Sequence, residues 1–112
     1  MAGIYYNAIL AFNPKTASYT LALADQLQDT VVEMNVATAN NLTIPTNAVV
    51  PFPIGSQILI AQYGAGQTTI VPSSGVTLRS SGGKTKIAAQ YGLATLIKRG
   101  ADEWYLAGDI TT

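Results

Sequence analysis

The feature that most constrains this chain is its punctuation. Clusters of Gly, Pro, Asn and Ser interrupt it roughly every 8–12 residues, and the runs between them are rich in Val, Ile, Thr, Tyr and Leu. Short β-favouring runs bounded by turn residues are the mark of an all-β domain. No window of helical length carries a convincing apolar stripe, apart from a weak one at 2–12, "AGIYYNAILAF".

Side-chain alternation assigns the faces. "SYTLALA" (18–24) places Tyr19, Leu21 and Leu23 together. "DQLQD" (25–29) is a polar turn or a single helical turn. "TVVEMNV" (30–36) sets Val32, Met34 and Val36 against Glu33 and Asn35, and "LTIP" (42–45) is a short strand. Pro45, Pro51 and Pro53 make 45–55 an irregular crossing, because proline cannot donate to a ladder. "SQILIAQY" (56–63) directs Ile58 and Ile60 one way; "GAG" turns, and "QTTIVP" (67–72) returns. "GVTLRS" (75–80) and "KIAAQYG" (86–92) flank the loop "SGGKT", and "LATLIKR" (93–99) and "EWYLAGDI" (103–110) form a hairpin through "GAD". About eight short strands in this order predict a β-sandwich, jelly-roll-like, with a closed barrel as the competing architecture. The phrase Gln-Tyr-Gly occurs at 62–64 and again at 90–92. Each copy is expected to end a strand, its glycine turning the chain and its tyrosine either burying its ring or lining a shared surface groove. The repeat is too short and irregular to indicate a solenoid.

Chemistry is scarce. The 112 residues include no Cys and no His, which removes disulfides, thiolate metal sites and the commonest general base. Six acidic residues remain; Asp25, Asp29 and Glu33 are expected on a solvated turn and face, and Asp102 and Glu103 at a hairpin tip. No paired-carboxylate context emerges. "SSGGKT" ends like a phosphate-binding loop, but position 78, where the upstream glycine would stand, is Leu. The expectation is a protein that is not an enzyme and takes no cofactor and no metal. Net charge is zero, which argues against a nucleic-acid partner. No uncharged apolar run approaches the ~20 residues of a membrane helix, and the N-terminus lacks the basic region of a signal peptide.

Only 11% of residues are charged, against about 25% in an ordinary soluble protein. A surface this poor in charge is expected to be covered in part by a partner, including other copies of the chain as a homodimer or homotrimer. Candidate contacts fall in two groups. Residues 1–18 read as a docking arm ahead of a domain at 19–112, because Ile4, Tyr5, Tyr6, Ile9, Leu10 and Phe12 crowd together with no charge before Lys15. The cations are bunched as well: Arg79, Lys84, Lys86, Lys98 and Arg99 could form a positive patch. In "EWYLAGDI", Trp104 and Tyr105 must point to opposite faces, so at most one belongs to the core; Trp104 is the contact candidate.

From residue 19 onward the chain resembles a small β-sandwich domain of tailed-bacteriophage virion proteins. The phrases that carry the resemblance are "YTLALAD", "VVEMNVATANNLTIP", "VPFPIGSQILIAQYGAGQTTI" and "GVTLRSSGGKTKIAAQYGLATLIKRGADEWYLAGDI". That family occurs as modules of tail fibres and as small free-standing virion proteins. It implies a non-enzymatic structural role and transfers no catalytic residues. With only a short segment before the domain, the expected role is a capsid decoration (cement or stapling) protein on the major capsid protein shell, made in the bacterial host cytoplasm. The alternative is a receptor- or glycan-binding module of a tail fibre or appendage.

Overall fold

The computed structural model describes residues 9–26 and 29–112. They form an all-β protein with two sheets. The strands are β1 (Ala11–Lys15), β2 (Tyr19–Thr20), β3 (Thr30–Met34), β4 (Asn40–Ile44), β5 (Gln57–Gln62), β6 (Thr68–Pro72), β7 (Thr77–Ser80), β8 (Lys86–Ile87), β9 (Leu93–Gly100), β10 (Glu103–Gly108) and β11 (Ile110–Thr111). Single 3₁₀ turns occupy Leu23–Gln26 and Ser81–Gly83. One sheet runs β1-β3-β5-β9-β10-β7 and the other β11-β8-β6-β4-β2.

From β1 to β9, every connection crosses from one sheet to the other. β3 lies parallel to β1 and β5 parallel to β3, while β4 lies parallel to β2 and β6 parallel to β4. The first six strands therefore wind as three stacked rungs, in the manner of a solenoid. A jelly roll is antiparallel, whereas five of the nine pairings here are parallel. Two hairpins expected from turn residues do not form. "GAG" links strands of different sheets, and so does "SGGKT". The hairpin through 100–102 does form, as β9–β10. Alternation tells which face a side chain takes but not which strand lies beside it, so the all-β character was visible and the winding was not.

Glycines at the turns explain why the rungs stack so closely. A Cβ at Gly64 or Gly66 would collide with the backbone of Val36 or Thr38. The Gly66 amide donates to the Val36 carbonyl at 2.9 Å, and the Asn40 amide to the Gln67 carbonyl at 3.0 Å. A buried polar network closes the same corner. Asn40 Nδ2 donates to the carbonyls of Thr38 and Gly66, the Thr68 hydroxyl to Asn40 Oδ1 at 2.7 Å, the Thr68 amide to Gln62 Oε1 and Gln62 Nε2 to the Gly64 carbonyl. Among the described residues no buried side-chain polar atom lacks a partner.

The two sheets share one core. Val32, Met34, Ile58, Ile60, Leu96, Trp104 and Leu106 enter from the six-stranded sheet, and Leu42, Ile44, Ile70 and Ile87 from the other. The proline-rich crossing contributes Phe52, whose ring meets Trp104 edge-on with centroids 5.4 Å apart. Residues 11–15 are the edge strand of the six-stranded sheet, so the boundary expected at residue 18 falls between two strands of one rung. Pro14 lies in this edge strand. The Ala11 amide donates to the Asp29 carbonyl and the Lys15 carbonyl accepts from the Asn35 amide, at the two ends of β3, so the missing amide of Pro14 faces the open side.

Gly66→Ala is expected to destabilise the fold by about 1–3 kcal/mol, because the added methyl must push two rungs apart. Urea unfolding would register this as a lower midpoint; an unchanged midpoint would mean the turns do not set the stacking.

Candidate interaction surface

The outer face of the six-stranded sheet is built by the residues that alternate with the core. Register aligns Phe12 with Val31, Val31 with Leu59, Leu59 with Thr95 and Thr95 with Ala107. A second row aligns Gln57, Ile97, Tyr105 and Arg79. Phe12, Leu93, Ile97 and Tyr105 are exposed on this face. Near the β7 edge an open groove of about 500 Å³ is lined by Arg79, Ser80, Ile97, Tyr105 and Ala107.

The candidate contacts fall in different places. Ile4, Tyr5 and Tyr6 lie outside the described residues. Ile9, Leu10 and Phe12 are exposed, Ile9 by 85%. The cations do not make one patch. Arg79 and Arg99 both hold Glu103, at 2.8 and 2.9 Å. A bulge at Glu103–Trp104 in the β9–β10 pairing marks this corner. The paired guanidinium groups keep the Glu103 carboxyl below its ordinary range, chiefly through the Arg79 hydrogen bond. Lys86 sits half-buried in the other sheet, and Lys84 is exposed in the β7–β8 connection.

Two expectations are corrected by burial. Trp104, named as a contact, is only 1% exposed and cannot meet a partner; Tyr105 takes the outward position instead. Lys98, counted with the surface cations, is 2% exposed. It is on the inward side of β9, and its ammonium donates to Asn47 Oδ1 at 2.6 Å and the Phe52 carbonyl at 2.7 Å, 6.0 Å from the Trp104 ring centroid. Burial pushes its pKa below the ordinary lysine value, with the Asp102 charge opposing. Lys98 thus pins the proline-rich crossing to β9.

Asp25 is a third correction, buried where a solvated turn was expected. Its carboxylate accepts from the Tyr19 hydroxyl at 2.7 Å and the Ala22 amide at 2.8 Å. This is an anchor for the 3₁₀ turn, with no second carboxylate described beside it. Among the described residues no group of three or more acidic side chains could hold a metal, and no helix is long and apolar enough to cross a membrane.

The two Gln-Tyr-Gly phrases come together. The β5–β9 register continues past Ala61–Leu93 to bring Tyr63 to Tyr91. Their rings meet edge to face, centroids 6.0 Å apart. Both rings are exposed rather than buried. Only the first phrase ends a strand; the second lies in the turn that leads into β9. The outward positions of Leu93 and Ile97 were not singled out from sequence, although alternation against Ala94, Leu96 and Lys98 could have marked them.

No protein-family model matches the chain, and no curated protein matches it.

The pKa of Tyr19 is pushed up to about 12 by burial first and by the Asp25 hydrogen bond and charge next. Above its ordinary value of 10.0 the unfolded chain releases the phenol proton while the folded one keeps it. Stability from this group therefore falls as pH rises from about 10 to 12. We expect Tyr19→Phe to lose less stability over that window than the native chain, because the variant lacks the phenol proton. Parallel losses in thermal melts would show that Tyr19 is not the group responsible.

Proposed function

We propose that the chain is a structural protein of a tailed-bacteriophage particle, a capsid decoration protein docked on the outside of the major capsid protein shell. The sequence resemblance suggests it. One structural observation supports it: the six-stranded sheet offers apolar surface at both of its edges. Ile9, Leu10 and Phe12 stand out at the β1 edge, and Ile97 and Tyr105 line the groove near the β7 edge. Apolar surface at two sides of a small body suits a bridging protein, which must touch a shell subunit with one side and a second copy of itself, as dimer or trimer, with the other. A stable interface of this kind covers roughly 800 Å² per partner.

On this proposal the two-sheet body is a sandwich with a parallel wind in its first six strands. The expected jelly-roll arrangement has no part in it. The chain would act without catalytic turnover, cofactor, nucleic acid or membrane. It would be made in the bacterial cytoplasm and reside on the capsid surface.

Quantitative mass spectrometry of purified particles is expected to give a copy number in fixed proportion to the capsid protein. A handful of copies at the tail would instead favour an appendage module. Ile97→Asp with Tyr105→Asp is expected to weaken binding to capsid shells at least about tenfold, since truncating central apolar anchors removes most interface energy. Sedimentation with purified shells measures this, and undiminished binding by the folded variant would exclude the groove as the docking site.

A further inference from the structure

We propose that Tyr63 and Tyr91 form a binding site for a neutral saccharide. The two residues are 52% and 69% exposed, yet both are held. They pack edge to face at an interplanar angle of 69°. Tyr91 adopts φ 72°, a left-handed conformation that few side chains other than Asn, Asp and His accept readily. Its amide donates to the Gln62 carbonyl at 2.7 Å, the Gln62 amide donates to the Gly92 carbonyl at 3.0 Å, and Gln90 Nε2 donates to the Tyr63 carbonyl at 3.2 Å. A tyrosine kept in a costly backbone state, with its ring in solvent, adds little to the core. Strain of this sort is characteristic of ligand clamps, and a platform fixed in advance loses little freedom on binding.

The surroundings select the ligand. A pyranose has a C–H face that lies against an aromatic ring and a rim of hydroxyls that seek polar partners. Acceptors lie on the neighbouring strand and turns. Asn35 is exposed immediately after β3, where the Tyr63 amide donates to the Met34 carbonyl. Glu33 is aligned with Ala61, two residues before Tyr63. The Asp109 carboxylate borders Gly92, next to Tyr91.

Most cations are engaged by other groups. Arg79 and Arg99 are engaged by Glu103 at the far end of β9, Lys98 is buried, and the Lys15 ammonium stands 4.2 Å from the Tyr19 ring centroid. Lys84 and Lys86 belong to the β7–β8 connection and the other sheet. Lys15 stands opposite Met34 and Lys86 adjoins Ile87, which meets Gly92, but carboxylates at Glu33 and Asp109 are placed as near. Stacking aromatics beside carboxylates disfavour nucleic acid and anionic glycans. They suit an uncharged sugar. The site is at the opposite end of β9 from Arg99, away from the β7-edge groove.

The test is saturation-transfer NMR on the intact chain with maltotetraose, chitotetraose and galactobiose, and with a heparin tetrasaccharide and oligothymidylate as anionic probes. At least one neutral oligosaccharide is expected to bind with its ring C–H protons closest to the protein. Tyr91→Asn keeps the left-handed backbone and removes the ring, and Tyr63→Ser removes the other. Each is expected to weaken binding about tenfold. A thermal melt confirms that the variants fold; if Tyr91→Asn does not, Tyr63→Ser carries the comparison. No neutral sugar bound at about 10 mM, tighter binding of either anionic probe, or sugar binding unchanged in the folded variants would overturn the proposal.

Discussion

The contact on which the rest of this fold depends is the stacking of the 63–67 turn on the 35–39 turn. Gly64 and Gly66 pass the backbone of Val36 and Thr38 at a separation that leaves no room for a Cβ. A turn placed that tightly sets two registers together. It fixes β5 beside β3 in one sheet and β6 beside β4 in the other. A slip of one residue would turn every core side chain outward on both sheets at once. The buried amides and hydroxyl of Gln62, Asn40 and Thr68 add a chemical check, since only the native register gives each of them a partner.

Much of the inner and outer assignment was legible from alternation. Val32 and Met34 face inward with Glu33 between them, and Ile58 with Ile60 fill the core. Trp104 and Tyr105 take opposite faces, as the pleat demands. Partnership between strands was not legible. A Gly-Ala-Gly turn reads the same whether the chain folds back beside itself or steps across to a second sheet, because the difference is made by Val36 and Thr38, almost thirty residues upstream. Buried charge was equally hidden. Lys98 stands in the chain as one of five nearby cations, and only the carbonyl of Phe52 and the amide of Asn47, both about fifty residues away, account for its position inside. The apolar character of Ile9, Leu10 and Phe12 was plain, but their exposure beside an edge strand was not. A shared surface for Tyr63 and Tyr91 was one of two readings of the repeated phrase; their direct edge-to-face contact was not legible.

Few charges are present, and most of those described do specific work. One lysine ties the proline-rich crossing to a strand, one aspartate anchors a 3₁₀ turn, and one glutamate gathers two arginines. The outer sheet face sets Glu33 and the Arg79–Glu103–Arg99 cluster among exposed apolar side chains. The exposed ion pairs contribute little to stability. Their effect is to keep both guanidinium groups beside the groove, where they give its rim a fixed polarity.

A parallel stack of rungs has no inherent length. Each new rung offers the next a row of unpaired amides and carbonyls, and chains built this way can recruit strands from neighbours without limit. Pro14 interrupts that invitation at the outermost strand. Its nitrogen carries no proton, and it sits on the side where the next strand would have to attach. One imino acid thus works as a gatekeeper on β1: a strand added at that edge would lose a ladder bond at Pro14.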